Sequence, residues 1–414
     1  MRRSLSLLLL VCFGFSISGA SNGAEVFHRT IPKPSWWNDI PATVKPFTNS
    51  DQIQEQSRID DGRLFYKRAL LTINHSPNDH KLITETLYYA SFRNGVSTEE
   101  SILVAEYFLQ HYMAWKEHWI GYCEGCTKEA VMVSRMVSRL AGGYCQTGKG
   151  LQALNIVDRF FLLRGSEVDI EPKAGIFQSL TYCLYNKEVG ETVLSRLDLA
   201  YKELYPIAKT YNAVGRVQGI GLSLTRHRIE IGNASPCELV VLEAKYRKER
   251  DEEKFDFAGL KKALDDKDWE KHFSYLASVV RTGSDEAVAL AKNVFVDGYY
   301  NDKFSKWERH HRYESVIYNM ACVQNNNYVD TLVAYFFGNK QFGKEQQINV
   351  VLAKLSPGGE VRLKPIDNLE LIEAVVSYSS CCGDGHGTSI VFKEIDFNGA
   401  KYWLPIARRG DWIA

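Results

Sequence analysis

An excess of charge of either sign is missing from this chain. Lysine and arginine together number 50, and so do aspartate and glutamate, so no global field draws the protein to nucleic acid or an anionic membrane. Long apolar runs are missing too. After the first twenty residues no segment approaches the roughly eighteen uninterrupted apolar residues that suggest a membrane span. Several catalytic signatures are absent: there is no G-x-S-x-G, no H-E-x-x-H and no calcium-binding loop. Strand signals are scarce before residue 356. A second C-x-x-C is lacking, so the one at Cys123–Cys126 does not read as a zinc site.

Proline is sparse and unevenly spent. Four of the eleven fall in residues 31–47, IPKPSWWNDIPATVKPF. Proline fixes φ and has no N–H to donate, so this stretch reads as an extended leader. Trp36 and Trp37 lie in it, and they either dock the leader on the domain behind it or form an exposed site for a partner or glycan.

What the chain does contain begins with an export signal. Arg2 and Arg3 precede an apolar run from Leu7 to Ile17, and Ser18-Gly19-Ala20 supplies small residues for cleavage after Ala20. Residues 1–20 are therefore expected to be a signal peptide and the mature chain to be secreted or periplasmic. With Cys12 removed, eight cysteines remain: Cys123, Cys126, Cys145, Cys183, Cys237, Cys322, Cys381 and Cys382. An even number in an exported chain favours disulfides, although eight admit roughly a hundred pairings. Two N-x-S sequons, at Asn74 and Asn233, are each followed by proline and do not settle the source.

From Asp51 to about Ser356 helical period dominates. Ser97-Thr-Glu-Glu100 forms a capping box, followed by an apolar stripe of Ile102, Ala105, Leu109, Tyr112 and Met113. The next helix places Val133, Met136, Val137, Leu140 and Tyr144 on one face. After a turn at Gly148-Lys-Gly150, Leu154, Val157 and Phe161 continue the pattern. Further helices fit near 174–185, 188–210, 237–252, 258–264, 268–281, 285–296, 303–321, 328–337 and 344–355. The charge run KYRKERDEEK, 245–254, reads as a solvated helix face with favourable pairs such as Arg247 with Asp251 and Lys248 with Glu252.

Leu140-Ala141, Tyr144 and Ala153 set small and large residues where two antiparallel helices of a hairpin would touch. Leu276-Ala277, Val280 and Ala289 repeat that spacing 136 residues later, four times the roughly 34-residue period of one repeat class. On these residues the chain resembles the tetratricopeptide-type helical repeat over two units and a poorer third at Ala90–Ile102. It departs from that pattern at Phe160 and Val296, where the family prefers a small residue, and the closing proline is missing. The resemblance implies stacked helical hairpins and a concave surface that binds peptides or proteins.

After Ser356-Pro-Gly-Gly359 the character changes. Residues 388–396 and 400–406 are rich in β-formers and flank Asn398-Gly399, the preferred pair for a tight hairpin. The fold class expected is mainly α, an α-solenoid-like stack of antiparallel hairpins over residues 51–356. It follows an extended leader at 21–50 and precedes a small β cap at 357–414.

Each candidate for chemistry has a plainer rival. Cys123–Cys126 precedes a helix that would lower a thiol pKa, yet neither the strand nor the βαβ context of a redox motif is present, and a structural disulfide is the preferred reading. A helix from Thr127 to Tyr144 would be about 27 Å long, too far for Cys145 to reach Cys126. Equivalent positions in successive units favour a Cys145–Cys183 pair. Cys381 and Cys382 sit in a glycine-rich loop with Asp384 and His386, more simply a loop tied down by disulfides than a metal site. Gly143-x4-Gly148-Lys149 lacks the Ser or Thr a phosphate-binding loop needs and follows a helix, so nucleotide binding is rejected. His111 and His118 are about 10.5 Å apart along a helix, too far to share a metal. Trp115 and Trp119 form a possible aromatic binding surface, though such a stripe more often belongs to a core. His310 with Glu314 reads as a surface pair, and Arg409-Gly410-Asp411 occurs at a chance rate.

No cofactor and no metal are expected. The leading reading is a non-enzymatic protein that binds or scaffolds a protein or peptide partner, with a glycan as a further candidate ligand. The alternative is an α/α-toroid enzyme acting on polysaccharide, a lyase or glycoside hydrolase, with Trp115, Trp119, Trp269 and Trp307 stacking on sugars.

Overall fold

Polar residues cap the starts of several helices. Asn49, Asp61, Asp79, Thr210, Asp268 and Asn325 each accept a hydrogen bond from a backbone N–H of the first turn of the helix they precede, satisfying donors that the helix itself leaves free. The computed structural model describes residues 31–120, 127–164, 169–296, 306–323, 325–338, 340–367, 369–378 and 386–413, with side chains undescribed at 80, 110–120, 127–131, 163–164, 269, 294–296, 306–313, 386 and 410–413. Among the described residues the protein is mostly helical and closes with a four-stranded antiparallel sheet. The expected signal peptide lies outside the described residues. The chain divides into two compact units, residues up to Phe160 and residues from Phe161 onward, a division that falls within the span expected to be one helical region.

In the first unit a short 3₁₀ turn, Ser35–Asp39, precedes α1 (Ser50–Ile59), α2 (Gly62–His75), α3 (His80–Ser91), α4 (Thr98–Ile120) and α5 (Thr127–Gln146), with α6 (Gly150–Arg164) following. Helix α3 packs against α1, α2, α4 and α5. The leader is docked. Trp36 is buried and its indole N–H donates to Glu100 Oε1 at 2.8 Å, while Lys67 Nζ donates to the carbonyls of Trp37 and Ile40 and lies over the Trp37 ring. Glu100 also completes the expected capping box: Ser97 N donates to its Oε2, and Glu100 N donates back to Ser97 Oγ. The α5 stripe is buried at all five expected positions, and Gly148 makes the turn after it with a φ of 78°. The G-x4-G-K stretch is therefore a helix end and a turn.

The second unit contains α7 (Ile170–Leu180), α8 (Gly190–Leu204), α9 (Tyr211–Glu230), α10 (Pro236–Glu249), α11 (Glu253–Asp265), α12 (Trp269–Val280), α13 (Asp285–Val296), α14 (Lys306–Val323), α15 (Asn326–Phe337) and α16 (Lys344–Leu355). The strands β1 (Glu360–Ile366), β2 (Leu371–Tyr378), β3 (His386–Phe397) and β4 (Ala400–Ile413) pair in sequence order. Asn398 and Gly399, with φ of 51° and 77°, turn β3 into β4 as expected, whereas β1 and β2 exceed the expected strands. The sheet is no free-standing cap. Its buried residues share one core with α10 to α16, and Arg408 of β4 donates to both carboxylate oxygens of the buried Glu314 on α14, at 2.9 and 3.1 Å. Glu314 is thus committed inside the protein and is not half of a surface pair.

Helix α9 was not among the expected helices. Gly215, Gly219 and Gly221 interrupt its apolar pattern, and each costs about 1 kcal/mol of helix propensity relative to alanine. The charge run at 245–254 also differs from expectation. It breaks at Asp251, whose φ is 57°, so Arg247 pairs with Asp256 at 2.5 Å and Arg250 with Glu252. Within it Tyr246 is fully buried. Ala289, placed at a helix contact by the repeat spacing, is exposed, while Ala287, Val288 and Ala291 around it are buried.

Candidate functional site

Helices α8, α9 and α10 pack as consecutive antiparallel neighbours, and their contacts keep one register. On α9 and α10, Gln218 meets Glu249 and Arg226 meets Glu243. A Cβ on Gly221 would overlap the Tyr246 hydroxyl and come within 2.7 Å of Tyr201 Cε2. The glycine therefore lets two tyrosines from α8 and α10 meet across α9: the Tyr201 and Tyr246 hydroxyls are 2.5 Å apart.

The ends of α8 and α10 lie together as a result, and polar groups converge there. The Tyr205 hydroxyl donates to Glu249 Oε1 at 2.5 Å, and Gln218 Nε2 donates to Oε2 at 2.9 Å. The Tyr205 ring centroid is 5.1 Å from that of Tyr201 and 6.0 Å from that of Tyr246. Lys245 Nζ lies 4.9 Å from the Tyr205 centroid and 3.9 Å from Glu249 Oε1. Burial raises the pKa of Tyr205, and so do its hydrogen bond to Glu249 and the charge of that carboxylate. The Tyr246 pKa is raised by burial and by its bond to Tyr201. Both phenols are therefore held in the protonated form beyond the ordinary tyrosine range. Gln218 is 2% exposed, and its Oε1 has no hydrogen-bond partner. A buried acceptor left unpaired costs about 1–3 kcal/mol, so the cluster retains unused accepting capacity. Chemically, the arrangement is an electron-rich aromatic face beside one carboxylate, suited to holding a cation.

The same end of the helices is apolar at its rim. Ile207 follows α8, Tyr211 begins α9 and Phe255 begins α11; all three are exposed, Tyr211 and Phe255 at 74%.

Of the cysteines expected in disulfides, four are bonded. Cys237 and Cys322 form a disulfide joining the start of α10 to the end of α14, and Cys145 and Cys183 are each disulfide-bonded. Cys123, Cys126, Cys381 and Cys382 lie outside the described residues. Trp115 and Trp119 fall on α4, and Trp269 and Trp307 open α12 and α14, but their side chains are outside the described set, as are those of His111, His118, His310 and His311. Arg409 donates to the Ile229 carbonyl and lies 3.9 Å from Glu373, so it is tied into the fold. The described residues contain no group of three His, Cys, Asp or Glu placed to hold a metal, and no described helix is long and apolar enough to cross a membrane. The tyrosine–glutamate cluster went unseen in the sequence because Gln218 sits in the unrecognised helix. Its legible trace was the recurrence of Tyr201 and Tyr205 one turn apart. No protein-family model matches the chain, and it matches neither a curated protein nor a solved structure.

Proposed function

We propose that the chain is a secreted or periplasmic α-helical repeat protein, with hairpins stacked in the tetratricopeptide manner, that binds or scaffolds a protein or peptide partner. The observation that carries this reading is the end of the α8–α10 array. There exposed Ile207, Tyr211 and Phe255 stand at the same helix ends as the half-exposed Glu249 carboxylate and its tyrosines. Exposed aromatics of this kind around a few fixed polar groups make up the usual anatomy of a recognition surface. A covalently closed Cys237–Cys322 bridge suits an oxidising compartment.

The test is a capture experiment from the native extracellular or periplasmic fraction. Wild-type protein and a Tyr211→Ser/Phe255→Ser variant are immobilised at equal loading. A specific partner is expected on the wild type and is expected to fall at least tenfold on the variant. Equal recovery on both would remove this surface from the reading. Release of reducing ends or unsaturated products from a polysaccharide by the purified wild type would replace it with the polysaccharide enzyme.

A further inference from the structure

We propose that the cluster of Tyr201, Tyr205, Tyr246, Gln218 and Glu249 takes the guanidinium of an arginine side chain on the partner, which displaces Lys245. This rests on the binding reading above and names the chemistry the partner presents there.

The protein already places a cation at this spot. Lys245 lies over the Tyr205 ring and toward Glu249, the position in which a bound cation gains from both the ring quadrupole and the carboxylate. It holds that place loosely. Its Nζ is 3.9 Å from Oε1, beyond hydrogen-bond distance, and its side chain is 54% exposed. A side chain that fits poorly and remains half in solvent is readily exchanged for one that fits better.

The fit favours a guanidinium over an ammonium. A planar guanidinium lies flat on the Tyr205 face while its edge donates to the carboxylate, and it brings five donors where an ammonium brings three. Glu249 is 35% exposed at its side chain, so it can be reached from solvent. Each of its oxygens already accepts one neutral donor, from Tyr205 and from Gln218. These bonds fix the carboxylate plane before a ligand arrives, which lowers the ordering cost of binding. Gln218, which is buried, holds one carboxylate oxygen from inside the protein, so the ligand approaches Glu249 from the side on which Lys245 now lies. Arg247, on the same helix, is paired with Asp256 instead.

The experiment uses full-length protein with ring-labelled tyrosine and follows the tyrosine ring resonances during titration with the end-capped tripeptide Gly-Arg-Gly. Saturable shifts of Tyr201 and Tyr205 are expected, weakening as salt is added. The same peptide with citrulline, which keeps the shape and loses the charge, is expected to bind at least tenfold more weakly, and so is Gly-Lys-Gly. Glu249→Gln should weaken the arginine peptide about tenfold, the usual order for losing a charged partner. Lys245→Ala should tighten it a few-fold by removing the internal competitor. Citrulline or lysine peptides binding within twofold of the arginine peptide would overturn the proposal, as would an unchanged affinity in Glu249→Gln or Lys245→Ala. If the arginine peptide binds as expected and no macromolecular partner is ever captured, the binding-protein reading fails and this site survives. If a partner is captured equally by wild type and Glu249→Gln, the reverse holds.

Discussion

Replacing Cys237 and Cys322 together by alanine tests the core of the second unit. The bridge closes a loop of 85 residues, its Cα atoms are 4.8 Å apart, and both cysteines are buried. In the chain-entropy account a cross-link removes roughly 2.1 plus 1.5R ln n cal/mol/K from the unfolded ensemble, which for this loop is about 15 cal/mol/K, or about 4.6 kcal/mol at 25 °C. The unit from Phe161 onward has roughly 250 residues, and at about 2.1 cal/mol/K of unfolding entropy per residue that loss lowers its Tm by about 9 °C. Alanine avoids burying two unpaired thiols or hydroxyls, so the remaining packing loss is small beside the entropic term. Scanning calorimetry of wild type and double variant measures the shift. Non-reducing peptide mapping of the wild type should first return Cys237 linked to Cys322. A Tm shift below about 3 °C would refute the argument, because the bridge would then constrain little of the unfolded chain; recovery of both cysteines as free thiols would refute it outright.

Four further outcomes are expected. His272 is buried, and desolvation lowers its pKa from 6.5 to about 4. The unfolded chain therefore binds a proton that the folded chain refuses, and stability is full above pH 6.5 and falls by up to roughly 3 kcal/mol as pH drops to 4; urea denaturation from pH 7 to 4 should show that slope, and His272→Leu should flatten it. Arg408→Met leaves Glu314 buried without its partner and should cost about 3–5 kcal/mol, whereas Arg408→Met with Glu314→Leu should recover much of it, a difference read from a double-mutant cycle in denaturant. Gly221→Ala should destabilise by about 1–3 kcal/mol, since its Cβ meets Tyr246 and Tyr201, while Gly215→Ala, with open space at its Cβ, should stabilise by up to about 1 kcal/mol. Trp36→Ala removes a buried ring and the donor to Glu100 and should cost the first unit about 3–5 kcal/mol, visible as faster proteolysis of the leader.

Local rules were legible wherever one periodicity decided the outcome. The α5 stripe, the Ser97–Glu100 capping box and the Asn398–Gly399 hairpin each depend on residues within a few positions of one another, and each formed as read. The leader left two readings open, docking or an exposed aromatic site, and the buried Trp36 with its bond to Glu100 selects the first for that residue. What escaped depends on distant partners. Nothing local distinguishes Cys237 from the other cysteines, and its partner lies 85 residues away. Glu314 reads as a surface carboxylate until the sheet supplies Arg408 from 94 positions further on. The run at 245–254 looked like a solvated face because charges outnumber the one aromatic in it, yet Tyr246 is the residue its surroundings enclose.

Helix α9 shows why the candidate site and the least legible element coincide. Three glycines at about 1 kcal/mol each make it a poor helix on its own, and such a segment is helical only where tertiary packing outweighs propensity. The packing in question depends on the glycines. Gly219 admits Gln178, whose Nε2 would come within 2.6 Å of an added Cβ, and Gly221 admits Tyr201 and Tyr246. The close approach that compensates the weak helix also brings α8 and α10 near enough for their tyrosines to touch and for Glu249 to be gripped from both sides. Stability and site assembly in this region therefore respond to the same substitution. That gives Gly221→Ala a second expected effect beyond its cost in stability: by forcing Tyr201 and Tyr246 apart it should weaken arginine-peptide binding even at temperatures where the variant is fully folded. Gly215→Ala, on the same helix, should raise the melting temperature and leave that binding unchanged. Loss of binding in both variants would mean that the cluster depends on the flexibility of α9 and not on the contact that Gly221 permits.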